Sequence, residues 1–128
     1  MFQNLEVFRT SYAMARHAGA RQAVTAANMA NADTPGYRAQ KIAPFAESHA
    51  PAAATAADLR TTRSRHLSND VMSTSPRIQM SDDEASPNGN SVSIEQEMLN
   101  SVEIQREHSR AMAIYKHSLD VLRMTVGR

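Results

Sequence analysis

The chain has 128 residues and a formal net charge of +1, from 14 basic and 13 acidic side chains. Alanine supplies 21 residues, and Leu, Ile, Val and Phe together supply only another 21, with no Trp and no Cys. This falls short of the roughly 20% of large apolar residues expected of a chain with its own core, so an ordinary monomeric enzyme is excluded, as are disulfides, thiolate zinc sites and cysteine nucleophiles, while the balanced charge gives no reason to expect nucleic acid.

The first expected element covers about residues 3 to 31, which contain no Pro and show helical spacing. A seam in steps of three and four runs through Leu5, Phe8, Tyr12, Ala15, Gly19, Ala26 and Met29, with Gln22 as its polar interruption. The seam begins bulky and becomes small. Eight alanines fall between Ala13 and Ala30, which predicts close approach of another backbone. The start, Met1-Phe2-Gln3-Asn4-Leu5-Glu6, lacks the basic and apolar regions of a secretory signal. Any exit from the cytoplasm is therefore expected to use another route. No stretch approaches the ~20 apolar residues of a membrane span.

The helix is expected to end at Asn31-Ala32-Asp33-Thr34-Pro35-Gly36-Tyr37. Asn31 is read as a left-handed cap. Pro35 forces Thr34 out of the helical region, and Pro35-Gly36 suits the centre of a type II turn.

The middle, about 38 to 91, holds four of the five prolines and few large apolar residues. It is expected to be loop-rich. Short strands around 59–62, 66–72 and 77–80 are one reading, and an extended loop that orders on assembly is the other.

The third region, about 94 to 126, follows the turn residues Pro87-Asn88-Gly89-Asn90. Ser93 is read as its N-cap, with Gln96 completing a capping box and Glu95 and Glu97 favouring the helix dipole. A heptad seam is expected through Ile94, Met98, Ser101, Gln105, His108, Met112, Tyr115, Leu119, Leu122 and Val126. Opposite charges pair on the outer face as Glu103 with Arg106, Glu107 with Arg110, and Asp120 with Arg123.

The expected fold is thus mostly α. Long N- and C-terminal helices pair as an antiparallel, coiled-coil-like hairpin around a loop-rich middle that has room for short β-strands. The parts are 1–37 (helix and turn), 38–91 (middle) and 92–128 (helix). Two helices bury too little to be robust alone, so further copies or related subunits are expected to complete the burial.

Familiar chemistry is not visible. The five histidines are scattered. His108 and His117, nine apart on one helix, face nearly opposite sides and cannot share a metal. Asp82-Asp83-Glu84 lies in a polar, turn-rich stretch and reads as a solvated loop. Arg60, Arg63, Arg65 and His66 form a basic cluster without interleaved aromatics, which reads as a solvated or partner-facing loop. No phosphate loop, nucleophile elbow or His-Glu-x-x-His frame is present. The expectation is no enzyme, no catalytic residue, no metal, no cofactor and no small-molecule substrate.

The stretch Ala27-Asn28-Met29-Ala30-Asn31-Ala32-Asp33-Thr34-Pro35-Gly36-Tyr37-Arg38 resembles the signature of the flagellar rod and hook protein family, Ala-Asn-(apolar)-Ala-Asn-x-x-Thr-x-Gly-Tyr. Asn88-Gly89-Asn90-Ser91-Val92-Ser93, followed by Glu95 and Glu97, is similar to the family's segment opening the C-terminal helix, with Asn88 and Ser93 in place of Asp. Arg65-His66-Leu67 and the ending from Tyr115 to Arg123 are also similar. The form Ala32-Asp33-Thr34-Pro35 resembles the proximal-rod branch. Ile104 and His108 stand where the family usually has Asn and Tyr.

The resemblance covers nearly the whole chain. It implies a structural subunit of the bacterial flagellar basal body that is exported unfolded, without a Sec signal, through the flagellar type III apparatus. Such a subunit assembles in the periplasmic rod with itself, other rod proteins and the ring–rod junction, and carries torque to the distal rod and hook. The residues expected to serve assembly are Asn28, Asn31, Thr34, Pro35, Gly36 and Tyr37. The expected packing seam is Leu5, Phe8, Tyr12, Met98, Met112, Tyr115, Leu119 and Leu122. Two other readings are open: a helical-hairpin adaptor or chaperone of a secretion system, and a small nucleic-acid binder acting through its basic loop.

Overall fold

The computed structural model describes the backbone of residues 2–48 and 76–127, and the side chains of 6–48 and 76–127. Helix α1 spans Phe2–Ala30, strand β1 Gln40–Ile42, the short helix α2 Phe45–Ser48, strand β2 Ile78–Met80 and helix α3 Ile94–Val126. The fold is mostly helical, with the two long helices in contact and one small two-stranded sheet. At 1.5 Å per residue, the 33 residues of α3 extend about 50 Å.

The helices run antiparallel, because contacts that climb one descend the other. Phe8 meets Tyr115 edge-on with centroids 5.2 Å apart. Arg21 pairs with Glu107 at 2.7 Å, Gln22 donates to Ser101 at 3.0 Å, and Asn28 donates to Glu97 at 3.1 Å.

Within this pairing the buried stripes differ from the expected seams. On α1, Ser11, Ala18 and Thr25 are buried, each seven apart, with Asn28 beyond them, and His17 is buried as well. On α3 they are Glu97, Ile104 and Ala111, again seven apart. Tyr12, Met98 and Met112 are 61%, 56% and 49% exposed. Gly19, Ala26, Gln105 and His108 are exposed as well. Phe8, Leu119 and Leu122 are half-buried, and Tyr115 reaches the interface through its edge contact with Phe8. The side chain of Leu5 lies outside the described residues. Both stripes are thus rotated by one position from the line of largest apolar residues. The contact surface selects small side chains that let backbones approach, and polar side chains that find partners across it.

The apolar core is correspondingly small. Among the described residues it consists of Ala18, Ala39, Ile42, Ile104 and Ala111. A fully buried Ile contributes about 1.5–3 kcal/mol, so two of them leave much of the cohesion to hydrogen bonds.

The ends of the helices follow their residues. Ser93 is the N-cap of α3, and its side chain accepts from the Gln96 N–H. The Gln96 side chain donates onward to Asn100 rather than back towards Ser93. Asn31 is not left-handed; among the described residues only Gly36 and Gly89 have positive φ. Instead the Asn31 side-chain amide donates at 2.8 Å to the Ala27 carbonyl, which also accepts from the Asn31 backbone N–H at 3.2 Å. Two of the expected surface pairs also differ in outcome. Asp120 and Arg123 lie 3.7 Å apart as expected, whereas Glu107 turns to Arg21 of the other helix.

Strands β1 and β2 pair antiparallel, with Gln40 opposite Met80 and Ile42 opposite Ile78. Strand β2 falls within the expected 77–80. Strand β1 and helix α2 were not expected from sequence, since three or four residues give no period to read. The expected strands at 59–62 and 66–72, and the basic cluster Arg60, Arg63, Arg65 and His66, lie outside the described residues.

Candidate functional site

The turn after α1 and the segment before α3 are far apart in sequence and meet in space. Thr34-Pro35-Gly36-Tyr37 closes as a turn, with the Tyr37 N–H donating to the Thr34 carbonyl at 3.3 Å and Gly36 at φ 71°. The Gly36 N–H donates to the Asn88 carbonyl at 3.0 Å, and the Ser91 N–H donates to the Tyr37 carbonyl at 3.1 Å. Gly89, at φ 81°, faces Gly36 so closely that a Cβ on it would lie 3.2 Å from the Gly36 Cα. Two glycines are needed here for two reasons: positive φ at each, and backbone-to-backbone contact between them.

Two asparagines hold this junction. Asn28, 1% exposed, lies at the end of α1. Its amide donates to the Gln40 carbonyl at 2.7 Å and to Glu97 Oε1 at 3.1 Å. Its Oδ1 accepts from the Gln40 N–H at 3.0 Å and from the Tyr37 hydroxyl at 3.4 Å. One side chain thereby pairs with a strand residue as another strand would, and also reaches α3. Asn90, also buried, donates from Nδ2 to the carbonyls of Asn31, Ala32 and Thr34 at 2.7–2.9 Å. Its Oδ1 accepts from the Val92 N–H at 2.7 Å. Carbonyls at the end of α1 and in the turn after it are thus bonded from the segment that opens α3.

Of the residues expected to serve assembly, Asn28, Gly36 and Tyr37 lie inside this junction. Asn31 and Thr34 sit on its rim, where the Thr34 hydroxyl donates to Asn31 Oδ1 at 3.2 Å. Pro35 is exposed on the turn. Asn90, Ser91 and Glu97 also belong to the junction, beyond the assembly residues expected from the sequence. Ser91 is buried and accepts from the Ala39 N–H at 2.9 Å. By its place in the first turn of α3, Glu97 is expected to serve the helix dipole. Its position, seven residues before Ile104 and fourteen before Ala111, is the signal that would have placed it inside.

A second polar group lies midway along α1. His17 is buried, its ring edge-on to Phe45 at 5.5 Å and its Nε2 3.4 Å from the Ser48 hydroxyl. Burial holds its imidazole below the usual value of 6.5; the Arg21 charge adds to this and Glu107 opposes it. His17 therefore fastens α2 to α1 in its neutral form. No group of acids and histidines among the described residues is gathered as metal ligands. Most polar side chains of the junction bond one another or backbone, which fixes its geometry, while Glu97 Oε2 is buried without a hydrogen-bond partner.

Large apolar side chains lie on the outside instead. Met98, Leu99, Val102 and Met112 of α3, and Tyr12 and Met29 of α1, are all at least 40% exposed. Such a surface on two long helices suits packing against other subunits.

Comparison with known proteins agrees with this geometry. The family described as flagella basal body rod protein matches residues 13–38, from the middle of α1 through the junction turn. The flagellar basal body rod protein FlgB of Agrobacterium fabrum (strain C58 / ATCC 33970) is 29% identical over 132 residues, spanning 98% of this chain and 96% of that protein. The segment matched by the family model thus ends in the turn that is locked to the start of α3, and the likeness to the Agrobacterium rod protein extends over nearly the whole of both chains.

Proposed function

We propose that the chain is a FlgB-type subunit of the proximal rod, at the membrane end of the basal body, and that it transmits torque from the membrane ring to the distal rod and hook. The observation that carries this reading is the junction of Asn28, Tyr37, Gly36, Gly89 and Asn90 on a helix pair whose apolar side chains face outward. The junction makes the two helices one rigid unit. The outward side chains are what neighbours would cover, so load passes between subunits through many helix contacts. In a helical assembly those contacts are heterologous, each face meeting a different one.

The partners in this reading are further copies of the chain, other rod proteins, the ring–rod junction proteins and the flagellar type III export apparatus. The site of action is the rod in the periplasmic space. Deletion of the gene tests it: loss of flagella, with basal bodies stalled before the rod, is the expected result. Normal motility after deletion defeats the proposal. A purified protein that forms a soluble, discrete complex with secretion substrates, and never enters basal bodies, would favour an adaptor or chaperone instead.

A further inference from the structure

Asn88-Gly89 is the one Asn-Gly pair in the chain, and it sits at the closest backbone contact of the junction. Asn-Gly is the pair most open to spontaneous deamidation. The glycine amide nitrogen attacks the asparagine Cγ, a C–N bond forms and ammonia leaves, carrying the amide proton. The resulting succinimide is opened by water at either carbonyl, giving aspartate or isoaspartate. Glycine favours the attack because no Cβ obstructs it and its backbone turns freely.

The folded junction restrains each participant. The attacking nitrogen, Gly89 N, donates its hydrogen to the Ser86 carbonyl at 2.7 Å. The electrophilic amide is held through Asn88 Oδ1, which accepts from the Asn90 N–H at 3.0 Å. The Asn88 carbonyl accepts from the Gly36 N–H at 3.0 Å. Ring closure requires rotation about the Asn88 backbone and side chain, which breaks these bonds together. The Asn88 side chain is exposed, so exclusion of water is not what protects it.

We infer that Asn88 is a deamidation site gated by folding: closed when the two glycines are docked, open in the unfolded chain, and able to block docking once it has reacted. The products differ in consequence. Aspartate at 88 keeps an oxygen to accept from the Asn90 N–H. Isoaspartate inserts a methylene into the main chain beside a contact where a single added carbon would already lie 3.2 Å from Gly36. Isoaspartate therefore displaces Gly89 from Gly36 and uncouples the segment before α3 from the turn after α1. The inference does not depend on what the chain assembles into.

The test uses the full chain at mildly alkaline pH, native and in urea, with amide loss followed at each asparagine by peptide mass spectrometry. In urea, Asn88 should lose its amide faster than any other asparagine, and faster than in the native protein by at least about tenfold, equivalent to ~1.4 kcal/mol of barrier. Gly89→Ala should slow the loss in urea, where its effect on the fold does not enter. After removal of urea, chains carrying isoaspartate at 88 should regain less helicity than Asn88→Asp chains. Equal rates in native and unfolded protein overturn the inference. So does faster loss at another asparagine in urea, or refolding of isoaspartate chains as complete as that of Asn88→Asp.

Discussion

The replacement Asn28→Asp keeps the shape of the side chain and exchanges its donor for an acceptor. In the wild type, Nδ2 donates to the Gln40 carbonyl at 2.7 Å and to Glu97 Oε1 at 3.1 Å. An aspartate oxygen in its place faces two oxygens. A buried hydrogen bond is worth ~0.5–1.5 kcal/mol net, one to a charged group ~1.5–3 kcal/mol, and an uncompensated buried charge adds to the loss. The replacement should therefore cost about 3–5 kcal/mol, while the bonds that Oδ1 accepts from Gln40 and Tyr37 remain available. Urea unfolding followed by circular dichroism should show a midpoint lowered on the order of 2 M, at a slope of ~1–3 kcal/mol per molar. Acidification through the carboxylate range should shrink the difference from wild type, because a protonated aspartate regains one donor. An Asn28→Asp protein as stable as wild type at neutral pH would refute the reasoning. So would a deficit that does not shrink on acidification.

Gly36→Val places a β-branched residue at φ 71° and should cost about 1–2 kcal/mol or more; flagellated cells should be lost on complementation with it, although secretion of the subunit continues. Gly89→Ala adds a Cβ at 3.2 Å from Gly36 as well as strain at φ 81°, so its unfolding midpoint should also fall. His17, depressed below 6.5 by burial and by Arg21, stabilises the fold when neutral. Its contribution is complete above the unfolded value of 6.5 and is lost as pH falls through its lower folded value. His17→Gln should flatten that part of the stability profile, measured by thermal melts across the range. Replacing Leu99, Val102 and Met112 together by Ser should leave the helicity of the isolated chain unchanged and abolish incorporation into basal bodies, scored by motility and by subunit recovery in purified rods. Retained incorporation would show that this face is not used.

The parts of the fold written in local chemistry could be read in the sequence. Ser93 caps α3 because its hydroxyl meets a free N–H three residues on, and Pro35-Gly36 make a turn because their φ values suit one. The two helices announce themselves by spacing. The phase of their contact was misleading, because large apolar residues define a seam only when they are what packs. Here Ala18, Ala111, Thr25 and Ser11 are buried while Tyr12, Met98 and Met112 face outward. The signature residues were visible as a pattern, and so was the Asn88–Ser93 segment. What joins them is a tertiary contact: no local rule says that Asn90 serves three carbonyls 56 to 59 residues away. Strand β1 is likewise set by its pairing with Asn28 and β2, and its three residues carry no period.

The polar contact between the helices has a mechanical consequence. Alanine surfaces alone would let one helix slide past the other by a turn at modest cost, since one small apolar group serves much as the next. The bonds Arg21–Glu107, Gln22–Ser101 and Asn28–Glu97 cannot be exchanged that way. A slip of one turn, about 5.4 Å, would break all three and separate the buried Asn28 from the buried Glu97. The helix pair is therefore keyed along its length and resists axial shear.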